Sequence, residues 1–136
     1  MERVLGIGGV FLKAKDPAVL KDWYRRHLGL AIEDWGGLVF PWRREDAFPG
    51  MTVWSLFPGD SSYFGAERQQ AMVNYVVADL RRLLDALRAE GCDVDDRLEE
   101  SEYGLFGWVT DPEGNRLELW QPPASAEAAG AEGMSA

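Results

Sequence analysis

Residues 103–122, YGLFGWVTDPEGNRLELWQP, read as two β-strands, Tyr103–Thr110 and Arg116–Gln121, joined by Asp111-Pro112-Glu113-Gly114-Asn115. Pro112 presets φ, Gly114 or Asn115 supplies a positive φ, and the Asp111 carboxylate can close an Asx turn. The second strand alternates strictly. Leu117 and Leu119 point one way, and Arg116, Glu118 and Trp120 point the other. The leucine face suits a core. The opposite face sets a carboxylate beside an indole, an unusual pair for plain solvent, so the surroundings of Glu118 decide the function.

Working outward, the same punctuation recurs. Met72–Val77 is a strand, Asp79 caps a helix that points Leu80, Leu83, Leu84 and Leu87 inward and ends at Gly91, and Asp93–Leu98 is a weaker strand. In the N-terminal half, Val4–Ala14 is a strand. Asp16 and Pro17 then open a helix with the apolar stripe Val19, Leu20, Trp23, Tyr24 and Leu28, closed by Gly29. Ala31–Trp35 and Leu38–Trp42 form a hairpin about Gly36-Gly37, Arg43–Gly50 is a polar loop, and Met51–Phe57 is a further strand. Between the halves, Pro58–Gln70 is rich in Gly, Ser and Asp and reads as a linker. The order is β-α-β-β-β, linker, β-α-β-β-β. A shift of 63 residues lays Asp16, Leu20, Asp22 and Arg25 on Asp79, Leu83, Asp85 and Arg88 and, with one residue inserted, Trp54 on Glu118. An internal duplication follows. Each helix covers one sheet face, and the opposite faces curve around a shared cleft.

The chain has 136 residues, enough for one domain with a real core, and its 46% apolar and 27% charged residues are ordinary for a soluble globule. No apolar run reaches the roughly 20 residues of a membrane span, and MERVLGIGGVFLKAKD is too polar for a secretory signal, so the expected location is cytoplasmic. A single cysteine, Cys92, excludes an internal disulfide and a thiolate metal cluster, and it reads as a small half-buried residue. A net charge of −9 argues against nucleic-acid binding and mildly favours cationic ligands. The lone His27 lies at a helix end, away from the cleft. The residues beyond 123 are only small, acidic and methionine residues and are expected to be disordered.

The segments VFLKAKDPAVLKDWYRRHLGL (10–30), NYVVADLRRLLDAL (74–87) and DPEGNRLELWQP (111–122) resemble the vicinal oxygen chelate superfamily. That superfamily includes glyoxalase I (lactoylglutathione lyase), extradiol dioxygenases, and fosfomycin- and bleomycin-resistance proteins. The resemblance implies an α+β fold: two tandem βαβββ modules, about 1–57 and 71–123, within a single domain over 1–123. They would form a U-shaped, mixed eight-stranded sheet around a cleft. It also implies a homodimer. In the family's enzymes a divalent ion in the cleft takes ligands from the first and last strands of the modules. Spacing from Asp16, Asp79 and Asp111 carries those positions to Gly9, Trp54, Met72 and Glu118. Only Glu118 is a usual ligand, because glycine has no side chain and indole and thioether are poor partners for hard or borderline ions.

The cleft is therefore expected to bind a small cationic or aromatic molecule without metal. Its lining would be Phe11, Lys13, Trp54, Leu56, Met72, Asn74, Tyr103, Phe106, Trp108, Glu118 and Trp120. Glu118 is also the candidate general base, with a pKa raised by apolar surroundings and a partner among Lys13, Asn74, Tyr103 and Arg116. The alternatives are a metal-dependent enzyme of glyoxalase, lyase or dioxygenase type, and a plugged module whose cleft binds nothing.

Overall fold

The computed structural model describes residues 3–43 and 50–123, so most of the Arg43–Gly50 loop and the tail beyond 123 lie outside the described residues. In chain order the elements are β1 (Val4–Ala14), α1 (Pro17–Leu28), β2 (Gly37–Pro41), β3 (Met51–Pro58), β4 (Ala71–Val77), α2 (Leu80–Ala89), β5 (Asp93–Ser101), β6 (Gly104–Thr110) and β7 (Arg116–Gln121). The strands form one mixed sheet in the order β2-β3-β1-β4-β7-β6-β5. β1 pairs with β3 in parallel, β4 pairs with β7 in parallel, and the antiparallel pair β1–β4 joins the halves at the centre.

The caps form as the sequence predicts. The Asp16 carboxylate accepts from the Val19 N–H at 3.2 Å, and Gly29 closes α1 at φ 67°. Asp79 accepts from the Arg82 N–H in the same way, and Gly91 after α2 has φ 83°. At the β6–β7 turn, Asp111 Oδ1 accepts from the Glu113 and Asn115 N–H groups, both at 2.9 Å, and the positive φ falls on Gly114. Those bonds, led by the one from Asn115, hold the Asp111 carboxyl below its usual range.

The eight-stranded expectation is corrected: the sheet has seven strands among the described residues. The missing strand is Ala31–Trp35. Here Ile32 N–H donates to Leu30 O at 2.9 Å and Gly36 N–H to Glu33 O at 3.0 Å, so local turns take the groups a ladder would need. Cys92 is also corrected, being exposed rather than half-buried.

Two clusters lie on opposite faces of the sheet. Under α2, Leu80, Leu83 and Leu84 pack with Val77, Leu105, Val109 and Leu119. On the other face, Phe11, Met51, Val53, Phe57, Phe64, Met72, Val76, Phe106, Trp108 and Trp120 form the aromatic cluster. The second cluster fills the expected cleft.

Candidate functional site

Strand register sets four residues in one row across the middle of the sheet. Val53 pairs with Gly9, Gly9 with Asn74, and Asn74 with Glu118. Glu118 and Asn74 are fully buried. A Cβ on Gly8 would lie 2.2 Å from Asn74 Oδ1, and one on Gly9 would lie 2.7 Å from the Phe11 ring. The two glycines thus leave the space that Asn74 and Phe11 occupy.

A cage of donors surrounds the Glu118 carboxylate. Asn74 Nδ2 donates to Oε1 at 2.5 Å, Trp108 Nε1 donates to Oε2 at 3.0 Å, and the Tyr63 hydroxyl makes a short bond to Oε2. Burial nevertheless dominates. It lifts the Glu118 pKa to about 7 against the opposing pull of the Tyr63, Asn74 and Trp108 donors, with the nearby Glu99 charge adding to the rise. The Tyr63 phenol is itself pushed well above its ordinary value, first by burial and then by the Glu118 charge. Near neutral pH the site holds an acid poised between its two forms, facing a phenol that stays protonated.

Tyr63 comes from the stretch that reads as a linker. Segment 58–70 folds back over the sheet instead. Phe64 is fully buried, and the Tyr63 ring stacks on Phe57 at 5.5 Å and meets Trp108 edge-on at 6.1 Å. Two polar clamps pin the C-terminal part of the segment. Lys13 Nζ donates to Glu67 O at 2.9 Å, and the Gln69 amide bonds both backbone groups of Arg116, donating at 2.8 Å and accepting at 2.9 Å. Sequence reasoning missed Tyr63, Phe64 and Gln69. The available signal was an aromatic pair inside a Gly- and Ser-rich loop.

The expected lining residues divide. Phe11, Met72, Asn74, Phe106, Trp108, Glu118 and Trp120 share the cleft face, and Tyr103 packs beside them with its carbonyl accepting from Trp120 Nε1 at 2.8 Å. Lys13 sits at the rim, 5.3 Å over the Phe64 ring. Trp54 does not belong there. It points to the other face and packs on Tyr24 of α1 at 4.8 Å, because Val53, Ser55 and Phe57 hold the inward positions of β3. Leu56 alternates with Trp54 and leaves the cleft with it. Of the partners expected for Glu118, Asn74 serves; Arg116 instead pairs with Asp95 at 3.0 Å and lies over the Trp108 ring at 5.2 Å.

The model of a glyoxalase-like domain matches residues 9–120. The chain belongs to the glyoxalase-like domain family. With it comes membership of the vicinal oxygen chelate superfamily. The fold is similar to that of a variant of methylmalonyl-CoA epimerase from Streptomyces coelicolor in complex with 2-nitronate-propionyl-CoA, at TM-score 0.68 and 16% identity over 90% of this chain and 100% of that one. It is also similar to the Mycobacterium tuberculosis methylmalonyl-CoA epimerase, at TM-score 0.59 and 17% identity over 88% of this chain and 89% of that one. A glyoxalase/bleomycin resistance protein/dioxygenase superfamily member from Vibrio splendidus gives TM-score 0.51 and 15% identity over 89% of this chain and 99% of that one. No curated protein matches the sequence.

Against this glyoxalase-like background, the central row is short of metal ligands. It offers one carboxylate and one amide, with a glycine and a valine completing it, and no group of three or more His, Cys, Asp or Glu gathers among the described residues. The metal positions carried over from the resemblance are corrected accordingly: Val53 and Asn74, not Trp54 and Met72, share the row with Gly9 and Glu118. Met72 pairs with Phe11, further along the strands on the same face. Both oxygens of Glu118 already accept N–H or O–H donors, which take up the lone pairs that a divalent ion would need. The side chains present do not fit a divalent ion.

Proposed function

We propose that this glyoxalase-like protein is a metal-independent binder of a small aromatic or cationic molecule, held in the cleft against Glu118. The carrying observation is the donor-caged, fully buried carboxylate walled by Phe11, Phe57, Phe106, Trp108 and Trp120. Aromatic walls attract planar or cationic groups, and the single acid fixes their orientation. The proposal includes a single domain over 1–123 built from two tandem modules, about 1–57 and 71–123, and supported by the parallel first-to-last strand pairing that both halves share. It also includes a homodimer. No helix among the described residues is long and apolar enough to cross a membrane.

A second reading, a proton-transferring isomerase or lyase, is favoured by one arrangement: a fully buried Glu118 carboxylate bonded to the Tyr63 hydroxyl, with burial lifting its pKa towards neutrality, where a general base works best. In that reading Glu118 exchanges a proton with the substrate carbon or oxygen placed beside it, and Tyr63, Asn74 and Trp108 steady its charged form. The metal-dependent glyoxalase or dioxygenase reading has no ligand set to act through among the described residues.

A thermal-shift screen with a metal panel and with cationic and aromatic molecules tests the binder, together with metal analysis of the purified protein. A selective organic ligand should raise the midpoint by mass action, and Glu118→Ala should remove the shift. Trp54→Ala is the control and should leave the shift in place, since Trp54 faces α1. Stoichiometric metal bound through Glu118 would overturn the proposal. A screen in which no organic molecule moves the midpoint would leave the plugged module as the answer.

A further inference from the structure

Tyr63 occupies the cleft as a ligand would. Its ring lies in an aromatic slot between Phe57 and Trp108, and its hydroxyl donates to the one buried acid. The segment bearing it has no helix or strand over residues 59–70. Its own hydrogen bonds near Tyr63 are local: Ser61 N–H to Pro58 O at 3.0 Å, Tyr63 N–H to Ser61 Oγ at 3.2 Å and Gly65 N–H to Ser62 O at 3.1 Å. The fully buried Phe64, 5.2 Å from the Phe57 ring, and the clamps through Lys13 and Gln69 lie further on and hold the base of the segment, so the part free to leave is residues 59–63.

We infer that Tyr63 is a built-in surrogate for the ligand, and that the cleft takes a small phenol. The phenol hydroxyl displaces the Tyr63 hydroxyl from Glu118, the phenol ring takes the slot between Phe57 and Trp108, and the 59–63 tip swings out while Phe64 stays packed. The inference rests on the binder reading and names its ligand class. Binding would then compete with the tip, so the wild-type protein should bind more weakly than a variant whose tip is disabled.

The test is calorimetric titration of p-cresol and of toluene, its counterpart without the hydroxyl, into wild type, Tyr63→Ala and Tyr63→Phe, paired with hydrogen exchange on the wild type. Toluene should bind about tenfold or more weakly than p-cresol, the value of a hydrogen bond to a charged group. Tyr63→Ala should tighten p-cresol binding by about tenfold or more on the same grounds. Tyr63→Phe keeps the ring volume and so guards against a misfolded alanine variant; it should tighten binding by a smaller factor. In the wild type, saturating p-cresol should speed exchange across residues 61–65 and slow it across residues 117–120. Equal binding of the two probes would overturn the inference, as would weaker binding by the Tyr63 variants or unchanged exchange across 61–65. If another class of molecule shifts the midpoint through Glu118 while Tyr63 stays in place, the binder stands and the phenol reading falls. If nothing shifts it, both fall.

Discussion

Each half of the molecule pairs its first strand in parallel with its last and carries one helix between them, and the likeness goes little further. In the C-terminal half, α2 buries Leu80, Leu83 and Leu84 in a closed leucine cluster, and β4, β6 and β7 supply Asn74, Trp108 and Glu118. In the N-terminal half, α1 has no fully buried residue. Val19 is 65% exposed, Trp23 48% and Leu28 59%, and the central row receives only Gly9 and Val53. One half holds its helix tightly and carries the buried acid with two of its donors. The other supplies walls and space, and the segment between them supplies the aromatic tip that closes the site. The strand pairing therefore fixes where residues can meet, while the side chains decide which half is structural on a given face.

The largest effect should come from attacking that asymmetry on the helix side. Leu84→Ala removes a side chain that is only 3% exposed and is expected to lower unfolding stability by about 2–5 kcal/mol. Urea denaturation measures it. A loss under about 1 kcal/mol would mean that the α2 cluster is no tighter than the α1 face, and the comparison would break.

The next effect is a pH dependence confined to one half. The folded pKa of Glu118, about 7, lies above the ordinary 4.5, so between those values the folded state holds more protons than the unfolded chain. Its contribution to stability is therefore fully present below about pH 4.5 and falls as pH rises to about 7, by roughly 3 kcal/mol at most. Glu118→Gln should flatten that limb of the curve of urea midpoint against pH. Asp95 and Asp111 act oppositely, since hydrogen bonds lower both pKa values; their contributions are lost only as pH drops through the range below 3.8. A wild-type midpoint that climbs from about pH 5 to 7 and is unchanged in shape by Glu118→Gln would remove the poised acid from the site.

Tyr63→Phe sharpens the comparison by cutting the link to the C-terminal half while keeping the ring. At about pH 8, where Glu118 is mostly charged, the lost hydrogen bond should cost about 1.5–3 kcal/mol, and at about pH 5 roughly half of that or less. Equal losses at both pH values would show that the phenol does not read the charge of Glu118.

How far the sequence disclosed this arrangement depends on the range of each interaction. Asp16, Asp79 and the Asp111 turn act over a few residues, and the structure bears out these signals nearly to the residue, along with the alternation that aims Glu118 and Trp120 together. Trp54 failed because a one-residue error in carried-over register turns a side chain to the opposite face, and only the pairing of Gly9 with Val53 fixes that register. Ala31–Trp35 failed because its backbone groups find turn partners nearer than the sheet. The aromatic pair Tyr63-Phe64 was visible in its loop, but the role of Tyr63 was not. Its role is set by Glu118, 55 positions away, and no local pattern encodes that meeting.

The smallest expected effect lies on the α1 face and asks whether that half is open or covered. Val19→Ser and Leu28→Ser replace apolar groups that are already mostly in water, so each should change stability by less than about 0.5 kcal/mol. Unfolding of an isolated chain is also independent of protein concentration, whereas a face covered by a second copy gains stability by mass action as concentration rises. Midpoints measured at two concentrations about a hundredfold apart separate the cases. A loss above about 1 kcal/mol that appears only at the higher concentration would show that α1 is half of an interface, and that the asymmetry between the halves belongs to the single chain and not to the assembly.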